Sequence, residues 1–256
     1  MRLLIVEGNT PQMVQNGQAA SASFVRCFAR INPDAQCQIV NPYESTDINL
    51  DTIDGAVFTG AGVSWSTDDT RAKPQHDVMQ AVFAKGIPSW GSCNGMQLAA
   101  TVLGGTVGAS PNGLEIGVAR QTRRVGAEHV MHTGRAPMWA APCVHRDEVR
   151  SLPNGATLTA TNDHSEIQAF IYEADGISFW GTQYHPELAL TDVASYVTTQ
   201  NSVFQEAAHL IDDLNCADQD DSAAARLGAN CAELDFEVRT CELINWTRHV
   251  EEMRHK

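Results

Sequence analysis

Ile87-Pro88-Ser89-Trp90-Gly91-Ser92-Cys93-Asn94-Gly95-Met96-Gln97-Leu98-Ala99-Ala100-Thr101-Val102-Leu103-Gly104-Gly105 is the stretch that decides the fold. Ile87 to Trp90 reads as a short buried strand, and Asn94 to Leu103 as a helix stopped by two glycines. Between them lies Gly91-Ser92-Cys93-Asn94-Gly95. Glycines two before and two after a central residue permit a sharp, crowded turn that lifts that residue above a sheet. A thiol suits the position, because unpaired N–H groups at a helix start favour the thiolate. Taken alone, the turn is equally compatible with a structural cysteine.

The same rhythm extends in both directions. Leu3 to Val6, Gln38 to Val40 and Gly55 to Thr59 read as strands. Gly17 to Ile31 and Pro74 to Lys85 read as helices, the latter bounded by Pro74 and Gly86. Alternating strands and helices predict a mostly parallel, open α/β sheet with helices on both faces. After Gly105 the pattern shifts to strand-like pieces at Glu115 to Arg120, Ala156 to Ala160, Ile167 to Ile171 and Ile177 to Thr182. Turns fall at Asn162-Asp163 and Asp175-Gly176. From about Asp192 only helices are expected. The reading is one domain over 1–190 and a helical C-terminal extension over 191–256 packed on it. Phe204, Ala207, Ala208, Ile211 and Leu214 repeat at helical spacing within that extension, as do Leu234, Val238, Cys241, Leu243 and Ile244 more loosely.

The chain has 256 residues, 43% of them hydrophobic, and a formal net charge of −14. That charge disfavours nucleic acid as a partner. The acidic cluster at Asp212, Asp213, Asp218, Asp220 and Asp221 reads as a solvated face. Met1-Arg2 runs directly into Leu3-Leu4-Ile5-Val6, too short for a secretory segment, and no apolar run has membrane-spanning length. A cytoplasmic location away from membranes is expected. The seven cysteines are irregularly spaced, so neither a disulfide framework nor a zinc site is expected, and most should be buried.

Downstream, Trp180-Gly181-Thr182-Gln183-Tyr184-His185-Pro186-Glu187 ends a strand with a histidine and a glutamate two positions on. A thiol nucleophile needs a base that takes its proton, and the base needs a carboxylate to hold its ring. Pro186 restricts the backbone so that His185 and Glu187 can face one way.

Gly91-Ser92-Cys93-Asn94-Gly95-Met96-Gln97 and Tyr184-His185-Pro186-Glu187 together resemble the triad motifs of class I glutamine amidotransferases, over residues 1–190. In motif style they are nearest the glutaminase domain of the GMP synthetase branch. The resemblance implies a flavodoxin-like fold, glutaminase activity and catalysis by Cys93, His185 and Glu187. It places Gly60 and Ala61, within Phe58-Thr59-Gly60-Ala61-Gly62, and Asn94, next after the nucleophile, at the oxyanion hole. Gln97 falls at the residue that holds the amino-acid end of the substrate. Glu115-Ile116-Gly117 is similar to the family's Glu-x-Gly strand. Val144-His145-Arg146-Asp147-Glu148-Val149 resembles a His-x-Asp segment, read as a loop shaping the glutamine pocket and the partner-facing rim rather than as a metal site. No metal or organic cofactor is implied.

Two enzyme readings stay open: a glutaminase subunit passing ammonia to a separate synthetase, and a stand-alone hydrolase or transferase of a small γ-glutamyl amide. A third is a catalytically silent regulatory module. Trp65, Trp139 and Trp180 are candidates for pocket walls, with core packing the default.

Overall fold

In the computed structural model, residues 1–199 and 204–254 are described. Residues 200–203 and 255–256 of the expected extension lie outside them. The chain forms β1 (Arg2–Val6), α1 (Pro11–Gln15), α2 (Ser21–Ile31), β2 (Gln36–Val40), β3 (Gly55–Phe58), α3 (Lys73–Ala84), β4 (Ser89–Ser92) and α4 (Asn94–Val102). Then follow β5 (Thr106–Ala109), β6 (Glu115–Arg124), β7 (Met138–His145), β8 (Asp147–Ser151), β9 (Thr157–Thr161), β10 (Ala169–Ala174) and β11 (Ile177–Thr182). The helices α5 (Leu190–Thr199), α6 (Ile211–Cys216), α7 (Asp221–Leu227), α8 (Cys231–Leu234), α9 (Phe236–Arg239) and α10 (Cys241–Arg254) come last.

Among the described residues, nine strands build the main sheet in the order β2-β1-β3-β4-β11-β10-β9-β6-β7, and β5 pairs with β8 in a second, two-stranded sheet. The run from β2 to β11 is parallel. From β11 onward the pairs are antiparallel, because hairpins replace helical crossovers there. The β10–β11 hairpin turns at Asp175 (φ 54°) and Gly176 (φ 78°), the two left-handed residues that a tight hairpin needs. The parallel half carries the expected α/β architecture, with helices on both faces.

Side-chain alternation along β1 shows how the layers are made. Leu3 and Ile5 enter one core with Phe24 and Phe28 of α2 and Trp246 and Val250 of α10. Leu4 and Val6 enter the opposite core with Val78 and Val82 of α3 and Met96 and Ala99 of α4. A third core joins Val118 of β6 and Ala140 of β7 to α5, α6 and α7.

The segment read as a loop at 144–149 is instead the end of β7 and the start of β8, broken at Arg146. Pairing of β7 with β6 and of β8 with β5 makes these residues strands. The loose C-terminal stripe is also corrected. It is split over three helices, so Leu234 and Leu243 are buried while Val238 is 42% exposed. Only Cys27, Cys93 and Cys143 are buried, fewer cysteines than expected, and all seven are free. Trp139 and Trp180 belong to the core. Among the described residues, no helix is long and apolar enough to cross a membrane.

The last helix is tied in by a buried polar cluster. Glu242 accepts from Arg135 Nε (2.8 Å), Arg135 Nη2 (2.8 Å) and the Tyr184 hydroxyl (3.0 Å), with His132 Nδ1 at 3.3 Å. Burial pushes this carboxyl up, but Arg135 and His132 outweigh it and hold the pKa at about 2. A carboxyl whose pKa is depressed on folding contributes stability above its unfolded value, and that stability is lost as pH falls through the folded value. From the ordinary 4.5 to about 2, this corresponds to on the order of 3 kcal/mol. Denaturant titrations should therefore show stability falling across that acid window, with a shallower slope in Glu242→Gln. Equal slopes would show that the cluster does not titrate as one unit with the fold.

Candidate active site

Ser92 pairs with Thr182 where β4 runs parallel to β11, and the Cys93 N–H donates to the Thr182 carbonyl at 2.7 Å. This register places the residues following the two strands side by side at their carboxyl ends, where open α/β sheets carry their sites. Cys93 has φ 49° and ψ −107°, a conformation few side-chain-bearing residues adopt. The residues two positions to either side, Gly91 and Gly95, must be glycine for lack of space. A Cβ on Gly91 would lie 2.6 Å from the Gly95 carbonyl carbon, and one on Gly95 would lie 2.1 Å from the Phe58 oxygen.

His185 and Glu187 face each other, with Nδ1 2.6 Å from Oε1. The other carboxylate oxygen accepts from Ser92 Oγ at 2.9 Å, and Ser92 Oγ accepts from Trp90 Nε1 at 2.9 Å. From the C-terminal helices, Arg239 Nη1 donates to the Pro186 carbonyl at 2.8 Å. His185 Nε2 is buried and has no hydrogen-bond partner among the described residues. The Cys93 thiol contacts the Val144 carbonyl at 3.7 Å. Ring and thiol are thus adjacent but not bonded, a loose geometry common in unliganded sites. Burial disfavours a charged His185 ring, but the Glu187 carboxylate and the Cys93 sulfur more than offset it, raising the pKa to about 10.

Gly60, Ala61 and Gly62 follow β3 and reach the same place. A Cβ on Gly60 would sit 2.7 Å from His185 Cε1, so a side chain there would displace the ring. The Gly62 N–H is taken by Asn9 Oδ1 at 2.7 Å. The N–H groups of Gly60, Ala61 and Asn94 make no hydrogen bond among the described residues. Each belongs to a residue that lines a hollow at Cys93.

Gln97 lies on α4, four residues after Cys93. Its Nε2 donates to the Asp147 carbonyl (2.6 Å) and to Gln183 Oε1 (3.1 Å), which leaves Oε1 as its remaining polar atom. Arg146 and Asp147 form a two-bond ion pair at 2.9 and 2.8 Å. These residues and Trp65 line one hollow beside Cys93. A second hollow, on the His185 side, is lined by Asn9, Ala20, Val144, Tyr196 and Phe204.

Cys143, His145 and Asp147 do not form a set. Cys143 is fully buried in the core, its thiol pushed well up by burial. His145 turns to Glu115 at 2.7 Å, and Asp147 lies beyond the break between β7 and β8. Glu115, His145 and His164 do place ligand atoms within 4.8 Å of one another. The Glu115 carboxylate, however, already receives His145, Asn162 (2.7 Å) and Gln168 (2.8 Å), so both of its oxygens are engaged within the fold.

Sequence reading missed Glu7, Asn9 and Ser92. The buried Glu7 carboxylate accepts from the N–H groups of Asn9 (2.9 Å) and Ser21 (2.8 Å), anchoring the start of α2 against the site. The available signal was position: Glu7-Gly8-Asn9 follows the first parallel strand, at the ligand-binding end of such sheets.

A family model described as glutamine amidotransferase class-I matches residues 12–203. A γ-glutamyl-L-1-hydroxyisopropylamide hydrolase of a Pseudomonas species is 29% identical over 98% of this chain and 93% of its own length. A glutamine-hydrolysing GMP synthase of a Marinomonas species is 36% identical over 44% of this chain, but only 22% of that protein is covered. A separate glutamine-hydrolysing GMP synthase subunit of Natronomonas pharaonis is 40% identical over 43% of this chain and 58% of its own length. The crystal structure of a Thermotoga maritima glutamine amidotransferase superposes with a TM-score of 0.66 at 20% identity, covering 98% of both chains.

Proposed function

Because the chain belongs to the class-I glutamine amidotransferase family, we propose that it hydrolyses the γ-amide of glutamine, or of a γ-glutamyl relative, through a thioester on Cys93. The observation that carries this reading is the convergence of a strained, helix-capping cysteine, a histidine bound to a buried carboxylate and three unengaged N–H groups.

The chemistry follows from the placement. Cys93 Sγ attacks the γ-carbonyl carbon and forms the C–S bond. The oxyanion is stabilised by the N–H of Asn94 and by one from Gly60 or Ala61, and removing such a donor costs roughly 100- to 1000-fold in rate. The C–N bond breaks as the nitrogen takes the proton held on His185 Nε2. Water, deprotonated by His185, then attacks the thioester, returning the electron pair to sulfur and releasing glutamate. Glu187, held in turn by Ser92, orients the ring and stabilises its charged form. At the other end of the substrate, Gln97 Oε1 and Asp147 suit an α-ammonium, and Arg146 an α-carboxylate.

Two fates of the nitrogen are distinguished. Relatives named as separate subunits of a glutamine-hydrolysing GMP synthase support transfer of ammonia to a synthetase partner. The end-to-end similarity to a γ-glutamyl amide hydrolase supports stand-alone hydrolysis, whereas the chain spans only about a quarter of the length of the single-chain GMP synthases it matches.

A pH profile tests the mechanism. Bond cleavage uses the protonated ring, so kcat/KM for glutamate release should fall as pH rises through the His185 pKa of about 10. In Glu187→Gln the strongest influence raising that pKa is removed while burial still lowers it. The alkaline limb should move to lower pH by roughly 1–3 units. A limb that stays in place would refute proton donation by His185.

A further inference from the structure

If Cys93 is the nucleophile and His185 the acid, the direction in which a substrate crosses the site is decided. The departing nitrogen lies beside His185, and the α-amino-acid end lies across the thiol from it. Cys93 opens onto both hollows. The charged one holds Gln97, Arg146 and Asp147. Only the other is lined by His185 and Glu187, so it receives whatever the nitrogen carries.

Ammonia would leave that hollow almost empty. Its free volume is about 50 Å³, whereas a single water needs on the order of 10–15 Å³. A substituent of three or four heavy atoms fits. Ala20, Val144 and Phe204 supply apolar walls. No lysine or arginine lines it among the described residues, and the His185 ring is already paired with Glu187, so a carboxylate there would face Glu187 without a cation of its own. Asn9 is held in place, its Oδ1 accepting from the Gly62 N–H and its Nδ2 donating to the Gln18 carbonyl. The Tyr196 hydroxyl makes no hydrogen bond among the described residues. Burial, then Glu187, Asp192 and Glu7, push its pKa upward and keep it a hydrogen-bond donor.

We propose that this hollow is a leaving-amine subsite, shaped for an N-substituted γ-glutamyl amide whose amine is short, uncharged and hydroxylated, with Tyr196 reading the hydroxyl and Ala20 and Phe204 its carbon skeleton. The proposal rests on the thioester reading above. In the reaction the C–N bond breaks, the amine leaves with the proton from His185, and water supplies the oxygen that completes glutamate. A primary amine and glutamate are the only products.

The test compares glutamate release from L-glutamine, γ-glutamyl-ethylamide, γ-glutamyl-ethanolamide and γ-glutamylglycine. Wild-type kcat/KM should be highest for the ethanolamide, and at least about tenfold lower for γ-glutamylglycine. In Tyr196→Phe the ethanolamide-to-ethylamide ratio should fall about three- to tenfold, the worth of one hydrogen bond. In Ala20→Leu, which fills the hollow, the ethylamide-to-glutamine ratio should fall tenfold or more. Ratios within one preparation do not depend on how much of a variant is folded. Unchanged ratios in both variants, or γ-glutamylglycine turned over as well as the ethanolamide, would overturn the subsite while leaving the triad intact. Activity that survives in Cys93→Ala would overturn both.

Discussion

Cys93→Ala should lower kcat for glutamate release by about 10⁴- to 10⁶-fold, the loss seen when the nucleophile of a triad that acts as a unit is removed. The size of the effect follows from geometry. Sγ is the one nucleophilic atom shared by the two hollows. The residual site would still bind the substrate and present the free N–H groups of Gly60, Ala61 and Asn94, so slow water attack is all that remains. Other thiols cannot substitute. Cys143 is fully buried, and Cys27 is raised to about 11 by burial and bonded through sulfur to the Glu187 carbonyl at 3.3 Å. Intact-mass analysis after rapid mixing with glutamine should find the thioester adduct in wild type and none in the variant. Full turnover by Cys93→Ala would end the thioester mechanism.

Gly95→Ala should be nearly as damaging, through the fold and the site together. The added Cβ would meet the Phe58 oxygen at 2.1 Å and its carbonyl carbon at 2.8 Å. Both are backbone atoms at the end of β3, so no side chain can rotate away. Either α4 or β3 must shift. Overpacking of this kind costs on the order of 3 kcal/mol, which for a domain of this size lowers Tm by about 6–12 °C. Either shift also moves Cys93 relative to Gly60 and Ala61, and a displacement of about 1 Å at a reacting centre costs roughly 100-fold in rate. Differential scanning calorimetry and kcat/KM on the same preparation would measure both. A variant with unchanged Tm and rate would mean that the elbow is not built by this contact.

Much of the fold and of the candidate site is legible in the residues alone. The strands Leu3 to Val6 and Gly55 to Thr59 were legible because alternate residues must enter opposite cores, and Leu3 and Leu4 do so. The start of α2 was less legible. Its first turn is capped by the Glu7 carboxylate, 14 positions earlier in the chain, rather than by a local capping residue. β7 and β8 were missed because Pro142 and the polar 145–148 run resemble a loop in isolation, and only pairing with β6 and β5 makes them strands.

The sequence by itself determined the elbow around Cys93, the His185-Pro186-Glu187 arrangement and the parallel α/β half of the sheet. Each is set by backbone geometry within a few residues, where glycine, proline and apolar period leave little freedom. Only the tertiary structure decided that Ser92 holds Glu187, 95 positions away. It also decided that the N–H of Gly62 belongs to Asn9, that Arg239 braces Pro186, and that Tyr196 and Phe204 wall the hollow beside His185. The physical reason is that these contacts join elements whose distance is set by sheet register and helix packing. A tyrosine at helical spacing looks the same in sequence whether it fills a core or faces a substrate.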